Sequence, residues 1–337
     1  LRNIFSFIFI IILLFLVSCQ QADDLTTKES GQEITAPTHT VKPVTPSGWT
    51  SFSGAKNIND MAFDDNGNLW SVGVLGVYQL DLVNQNQEAI MIEHGLSISN
   101  LDSIAFSKDG SIWIGTKGDG AARFDGEKWT RYTVDDGLAD DYIQTVSATS
   151  DGAVWFGTFE YDGGVSRFDG DSWFTYNEDD GLAEKYIMDI AVTPEDSLWF
   201  GTYTSGISYY DGNEWRTYTV EDGLAQNWIV SVVVVPDGTL WVSTLNEGVS
   251  RFDGSNWTTY TEEDGLINNS INSIAVAPDG SVWFASNNGV SSFDGTTWMT
   301  YTEEDGLVNN KVGSIIVGPE GHLWFGTNNG ISRYVFP

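Results

Sequence analysis

Cysteine, histidine and positive charge are scarce in this sequence. Its 337 residues hold one cysteine and three histidines. A lone cysteine excludes an internal disulfide framework, so the fold must rest on its apolar core. The histidines are His39, His94 and His322, and none stands beside an evident Ser or Cys nucleophile, which leaves little footing for nucleophilic catalysis. Against 47 Asp and Glu there are 15 Lys and Arg, a formal charge of −32. Such a surface repels phosphate backbones and argues against a nucleic-acid partner. It tolerates cations, basic peptides and neutral sugars. Many of the acids fall in turns, where Asp bonds its own backbone, so part of the charge is turn chemistry. No apolar run is long enough to span a bilayer. Ile4–Val17, interrupted only by Ser6 and preceded by Arg2, has the length and flanks of a secretory signal.

Tryptophan, in contrast, is abundant and periodic. Trp70, Trp113, Trp155, Trp199, Trp241, Trp283 and Trp324 follow one another at spacings of 43, 42, 44, 42, 42 and 41 residues. A near-fixed period of this length is the mark of a repeat architecture. In the sixth unit, Ile271–Ala277 alternates apolar and polar residues and Pro278-Asp279-Gly280 turns the chain. Runs at Ser281–Ala285, Val290–Phe293 and Trp298–Tyr301 follow, with Asp294-Gly295 between the last two. Short β-branched and aromatic runs between Asp-Gly and Asn-Gly turns read as antiparallel strands. Four strands per unit, seven times over, predict an all-β, seven-bladed β-propeller of four-stranded antiparallel blades. The last unit lacks a fourth strand, and Trp49-Thr50-Ser51-Phe52 matches the fourth-strand run Trp257-Thr258-Thr259-Tyr260. The N-terminal strand is expected to complete the last blade, closing the ring and removing an open edge. The first unit, Asn57–Ile92, is the poorest copy. It has Leu80-Asp81 in place of Phe-Asp-Gly and a fourth strand expected near Glu88–Ile92.

The domain plan is then a signal segment at 1–18, a tether at 19–47 and the propeller at 48–337. The tether is rich in Thr, Gln, Glu and Pro and cannot bury a core. Leu16-Val17-Ser18-Cys19 resembles the lipobox of bacterial lipoproteins, which implies cleavage before Cys19 and lipidation of its sulfur. Gln20 is not the Asp of inner-membrane retention, and Asp23-Asp24 resemble acidic surface-export tags. The expected location is the bacterial envelope, at the outer membrane or cell surface rather than the inner membrane.

Glu304-Asp305-Gly306-Leu307, Asn310, Val312, Ile315, Gly321 and Leu323-Trp324-Phe325-Gly326-Thr327 resemble the two-component regulator propeller repeat. About six units match well and the first loosely. Propellers of that family often form the extracytoplasmic sensor half of histidine kinases, some of them responsive to polysaccharides. One ring and no kinase segment are present in this sequence, so the resemblance implies fold and location, and signalling by analogy.

Residues shared by every unit serve packing. Thirteen of the fourteen Trp mark second or fourth strands, and Arg123, Arg167, Arg251 and Arg333 are expected to stack or pair between strands. What departs from the period is free to recognise a ligand. Trp228 lies five residues after Gly223, where Tyr142 and Tyr186 stand in the two preceding units and Asn100, Ser270 and Lys311 in others. The loop between second and third strands is longest in the third unit, Thr158 to Gly164, and emerges on the same face. Loop length and aromatic content rise on one sector. The expected binding surface is Tyr142, Phe159, Tyr161, Tyr186, Tyr203 and Trp228, rimmed by Asp141, Glu160, Asp162 and Glu184. Aromatic faces beside carboxylates suit sugar rings, and also peptides with basic or apolar side chains. A purely structural role, covering the inner strands, is the competing reading.

No cofactor is expected. Acidic turns such as Val134-Asp135-Asp136-Gly137, Glu178-Asp179-Asp180-Gly181 and Glu262-Glu263-Asp264-Gly265 offer oxygens to calcium but lack EF-hand spacing, so solvated turns are the simpler reading. The Trp-Phe-Gly-Thr texture is also similar to the propeller lyases that open streptogramin antibiotics, which need a His-and-Glu constellation on blade loops. His322 lies two residues before a framework Trp and on the other face. The sequence therefore points to a non-catalytic binding or sensor-like module with carbohydrate as the first ligand class. An envelope protein partner is the alternative, and a propeller lyase or hydrolase a distant second.

Overall fold

In the computed structural model the chain is described over residues 48–52, 54–74, 76–82, 86–90, 100–160 and 163–336, with 81 and 86–90 described by backbone alone. The signal segment, Cys19, the tether, His39 and His94 lie outside the described residues. Among the described residues, twenty-eight strands form seven four-stranded antiparallel sheets in sequential order. They are numbered here as blades 1 to 7. Blade 7 holds Val312–Val317, Leu323–Thr327 and Gly330–Tyr334, and Trp49–Phe52 supplies its outermost strand. That strand pairs Trp49 with Tyr334 and Phe52 with Ile331, so first and last units are joined by a β-ladder. The seven-bladed propeller and its closure by the N-terminal strand stand as the sequence implied.

Some strand ends move by a residue or two. The second strand of blade 6 is Val282–Ser286 and the third starts at Gly289, because Ser286 Oγ donates to the Gly289 carbonyl at 2.9 Å and carries the ladder to the loop. The outermost strand of blade 1 is Asn86–Ile90.

All seven second strands are buried along their whole length, whereas outermost strands such as Trp173–Tyr176 are half exposed. A second strand is covered on both faces by neighbouring blades, which is why it reads as a continuous apolar run rather than an alternation. The core is therefore divided into seven clusters between blades. In one, Trp113 of blade 2 packs with Ile143, Val146, Val154 and Phe156 of blade 3. The glycine in Trp-Phe-Gly-Thr is a close-approach residue: a Cβ on Gly157 would lie 2.5 Å from Ile187 Cγ2 of the next blade.

The expected arginine contacts form in blades 2 and 3, and in blade 7 Arg333 lies 5.5 Å over Trp324. Arg123 pairs with Asp109 at 2.7 Å and Arg167 with Asp151 at 3.0 Å, while their guanidinium groups lie 5.6 and 5.8 Å over Trp113 and Trp155.

Each innermost strand carries a bulge after its first residue, as between Ile143 and Thr145. The third residues of these strands are Asp60, Ser103, Thr145, Asp189, Ser231, Ser273 and Ser314. Several of them accept an N–H from the next blade. Ile104 N donates to Asp60 Oδ2 at 2.9 Å, Val146 N to Ser103 Oγ at 3.1 Å and Val232 N to Asp189 Oδ2 at 2.8 Å. The axis of the ring is laced by polar ties that link blade to blade.

Candidate ligand-binding face

The entry to each innermost strand and the loop after each second strand meet on one face. Phe159 N donates to the Tyr142 carbonyl at 3.1 Å, Tyr203 N to Tyr186 at 3.0 Å and Leu245 N to Trp228 at 3.1 Å. In blade 2 the same bond joins Lys117 N to Asn100 O at 2.8 Å. A framework hydroxyl sets the loop: Thr158 Oγ1 donates to Gly164 O at 3.0 Å and Thr202 Oγ1 to Gly206 O at 2.8 Å. Each such blade thus offers two adjacent side chains, one from the entry position and one just after the second strand.

In blades 3 to 5 five of these side chains are aromatic, and they touch in sequence. Ring centroids lie 6.0 Å apart for Tyr142 and Phe159, 5.6 Å for Phe159 and Tyr186, 5.2 Å for Phe159 and Tyr203, and 4.1 Å for Tyr203 and Trp228. Phe159 is the hub. All five are half-buried. Lys185 Nζ lies 5.7 Å over the Tyr186 ring. Burial, with the carboxylates of Asp102 and Glu160, pushes the Tyr142 phenol above its ordinary range. Burial and Glu184 raise Tyr203 as well. Both phenols therefore stay protonated and keep their donor at neutral pH.

The rim carboxylates divide by role. Asp141 Oδ1 accepts from Val134 N at 2.9 Å, and its carbonyl accepts from Gly118 N and Gly120 N at 3.1 and 2.8 Å. Glu184 accepts from Thr204 N at 2.7 Å, Thr204 Oγ1 at 2.8 Å and Ser205 N at 3.1 Å. Both are engaged in shaping loops. Glu160 is exposed beside the arc. Tyr161 and Asp162 lie outside the described residues.

Two features of this region escaped the sequence reading. Asp102, second in its innermost strand, is buried and pairs with Lys117 Nζ at 2.8 Å. Its counterparts in the other blades are Asn59, Gln144, Met188, Val230, Asn272 and Gly313, so a lone acid there was a visible departure from the repeat. Asp60 and Asp189 are the second feature, the only acids among the Ser and Thr of the axial ring. Burial raises both carboxyls, Asp60 to about 6, against the opposing effect of their N–H donors.

The acidic turns use their carboxylates internally. Asp136, Asp180 and Asp264 each accept the backbone N–H three residues earlier, from Thr133, Asn177 and Thr261, at 2.9, 3.0 and 2.9 Å. Among the described residues no group of three His, Cys, Asp or Glu side chains is placed to hold a metal ion. His322 sits in the inner turn of blade 7 on the opposite face, with Nε2 3.3 Å from Glu320 Oε2. A concavity of about 440 Å³ also opens on that opposite face, lined in part by Phe106, Lys108, Ser150, Pro194 and Asp196. Its polar groups are directed at neighbouring blades: Lys108 Nζ donates to Ser150 O at 2.8 Å, and Ser150 N to Asp196 Oδ1 at 2.8 Å. The aromatic arc, by contrast, keeps five half-exposed rings at the mouth.

A closed ring with one aromatic sector at its mouth defines the class, a β-propeller with a single candidate binding face. More particularly, the chain carries two-component regulator propeller repeats: the profile of that family matches residues 265–288 and 306–329, in the sixth and seventh units. No curated protein sequence matches the chain. Among solved structures it is similar to a domain described as the extracellular part of a hybrid two component system of B. thetaiotaomicron. That likeness has 20% identity and a TM-score of 0.74 over 86% of this chain and 41% of that one. A second such domain from the same organism gives 16% and 0.71, over 86% and 40%. The chain thus spans about two fifths of these relatives. A streptogramin B lyase gives 15% and 0.72, over 86% and 97%. At these identities the likeness is one of fold.

Proposed function

We propose that the protein is a non-catalytic, sensor-like binding module of the bacterial envelope or cell surface, anchored by lipid on Cys19, whose ligand is a carbohydrate. One observation carries the binding reading: five half-exposed aromatic side chains form a continuous contact chain at the mouth of three adjacent blades, on a scaffold whose other tryptophans repeat blade by blade. Sequential tilted rings offer apolar faces to sugar C–H groups, and the exposed Glu160 supplies an acceptor for hydroxyls. The envelope reading is supported by the fold shared with extracellular sensor domains and by the lipobox-like Leu16–Cys19.

A glycan array with the intact protein and Trp228→Ala tests the ligand. Binding of a glycan that survives added salt and is lost in the variant supports the reading. Capture of one defined envelope protein through the same arc, with no glycan bound, replaces it by a protein-interaction scaffold. Labelling of cells with a radioactive fatty acid tests the anchor. Incorporation should disappear in Cys19→Ala, and equal labelling of both forms would remove the anchor from the proposal.

A further inference from the structure

Asp102 is the one charged side chain at its position in the seven innermost strands. Its Oδ1 accepts from Lys117 Nζ at 2.8 Å and from Asn59 Nδ2 at 3.2 Å. Its Oδ2 is buried and has no hydrogen-bond partner among the described residues. The whole residue is 8% exposed. An unpartnered carboxylate oxygen in such a place costs folding free energy, and packing alone does not require it, since six blades manage with neutral residues there. A group retained against its own cost is best understood by what it can accept from outside.

The surroundings say what that is. Lys117 forms an isolated β-bridge with Tyr142, the blade 3 end of the aromatic arc. It occupies the place in blade 2 that Phe159 and Tyr203 occupy in blades 3 and 4, directly after the second-strand Thr. The pair therefore continues the arc with polar atoms. It sets one acceptor that has no partner, Asp102 Oδ2, buried beside the partly exposed Lys117, and the two opposite charges offset one another. An anionic or cationic ligand gains no net attraction from a neutral pair, whereas two neighbouring hydroxyl groups match it, one donating and one accepting.

We propose that Asp102 and Lys117 form a hydrogen-bonding subsite for two adjacent hydroxyl groups of a neutral sugar whose ring lies against Tyr142 and Phe159. The inference rests on the carbohydrate reading and extends it, naming the polar end of the site and a neutral, vicinal-diol ligand.

The test is calorimetric titration of the full chain in detergent with four neutral hexasaccharides: a β-1,4-glucan, a β-1,3-glucan, a β-1,4-mannan and an α-1,4-glucan. Asp102→Asn turns the free acceptor into a donor. Lys117→Met removes the donor from a partly exposed position and is the safer variant for folding. Near-UV circular dichroism checks both. Each variant is expected to bind the best sugar at least tenfold more weakly, and the double variant little worse than either, because one sugar edge engages both groups. Binding by Lys117→Met and by folded Asp102→Asn within twofold of the parent, while Trp228→Ala loses affinity, overturns the subsite and leaves the arc standing. A parent chain that binds none of the four overturns both.

Discussion

Tyr203 and Trp228 bring their ring centroids to 4.1 Å across the boundary between blades 4 and 5, closer than any other aromatic pair among the described residues. The contact joins a loop residue of one blade to the entry residue of the next. It forms because Tyr203 N is bonded to the Tyr186 carbonyl and Leu245 N to the Trp228 carbonyl, which holds both backbones at the mouth.

Trp228→Ala should therefore do two separable things. Removing a half-buried indole costs roughly 1–2 kcal/mol of stability, below the 3–5 typical of a fully buried one. Glycan affinity should fall at least tenfold. Chemical denaturation and calorimetry on the same samples check the two effects, and unchanged affinity with lowered stability would assign the arc to packing.

Stability should rise as pH falls from 7 toward 4.5. Burial raises the folded Asp60 carboxyl to about 6 and raises Asp189 too, so the folded ring binds protons that the unfolded chain, near pKa 3.8, releases. That stabilisation is full below 3.8 and is lost as pH rises through 6. For Asp60 a rise from 3.8 to about 6 corresponds to an order of 3 kcal/mol. Asp109 acts oppositely. Burial alone would lift it, but bonds from Ser107 and Ser111 and the charge of Arg123 carry it down to about 2, and its contribution is lost in stronger acid. Urea midpoints across pH 3.5–8 should pass through a maximum between about 4 and 5. Asp60→Asn should flatten the limb above it.

Closure should be strongly sensitive to Trp49. This residue is 3% exposed and packs its ring against Phe325 at 5.2 Å and Tyr334 at 4.9 Å. Trp49→Ala is expected to cost about 3–5 kcal/mol, since it both opens a cavity and loosens the strand that joins the chain's two ends. Trp129→Ala, at the half-exposed equivalent place in blade 2, should cost less than half of that. Equal losses in urea melts would show that ring closure adds nothing to the local packing.

Asp196 adopts φ +61 at a turn position held by glycine in the other six blades, as at Gly152 and Gly238. Its carboxylate receives Ser150 N at 2.8 Å and also Ser150 Oγ, tying blade 4 to blade 3. Asp196→Ala keeps the backbone strain and loses both bonds, so a loss of about 1–2 kcal/mol is expected. Asp196→Gly, which relieves the strain, should lose less. The order of the two variants in thermal melts decides whether strain or the tie governs the position.

Much of the site was legible before any coordinates. Trp228, Tyr142 and Tyr186 stood out because the equivalent positions of three other units hold Asn100, Ser270 and Lys311, and Phe159 and Tyr203 because their loops were longer than those of units six and seven. Less legible was the division of the carboxylates. Asp141 and Glu184 look like Glu160 in sequence, yet they accept backbone N–H groups of folded loops while Glu160 faces solvent. The axial acids were missed because Asp60 and Asp189 read as ordinary polar residues of an alternating strand. Only the bulge shows that they turn toward the axis and a neighbouring blade.

The sequence by itself determined the number of blades, the four strands of each and the strand that closes the ring. The blades depend on local pairing between runs a few residues apart, repeated often enough to average out exceptions, while the closing strand, which pairs with Ile331–Tyr334, is legible by its match to the fourth-strand run Trp257–Tyr260. Which departures from the repeat meet one another was decided by the tertiary structure alone. Asp102 lies forty residues from Tyr142, and Tyr203 twenty-five from Trp228. They become neighbours only because each blade packs its face on the next and the ring brings every entry loop to one mouth.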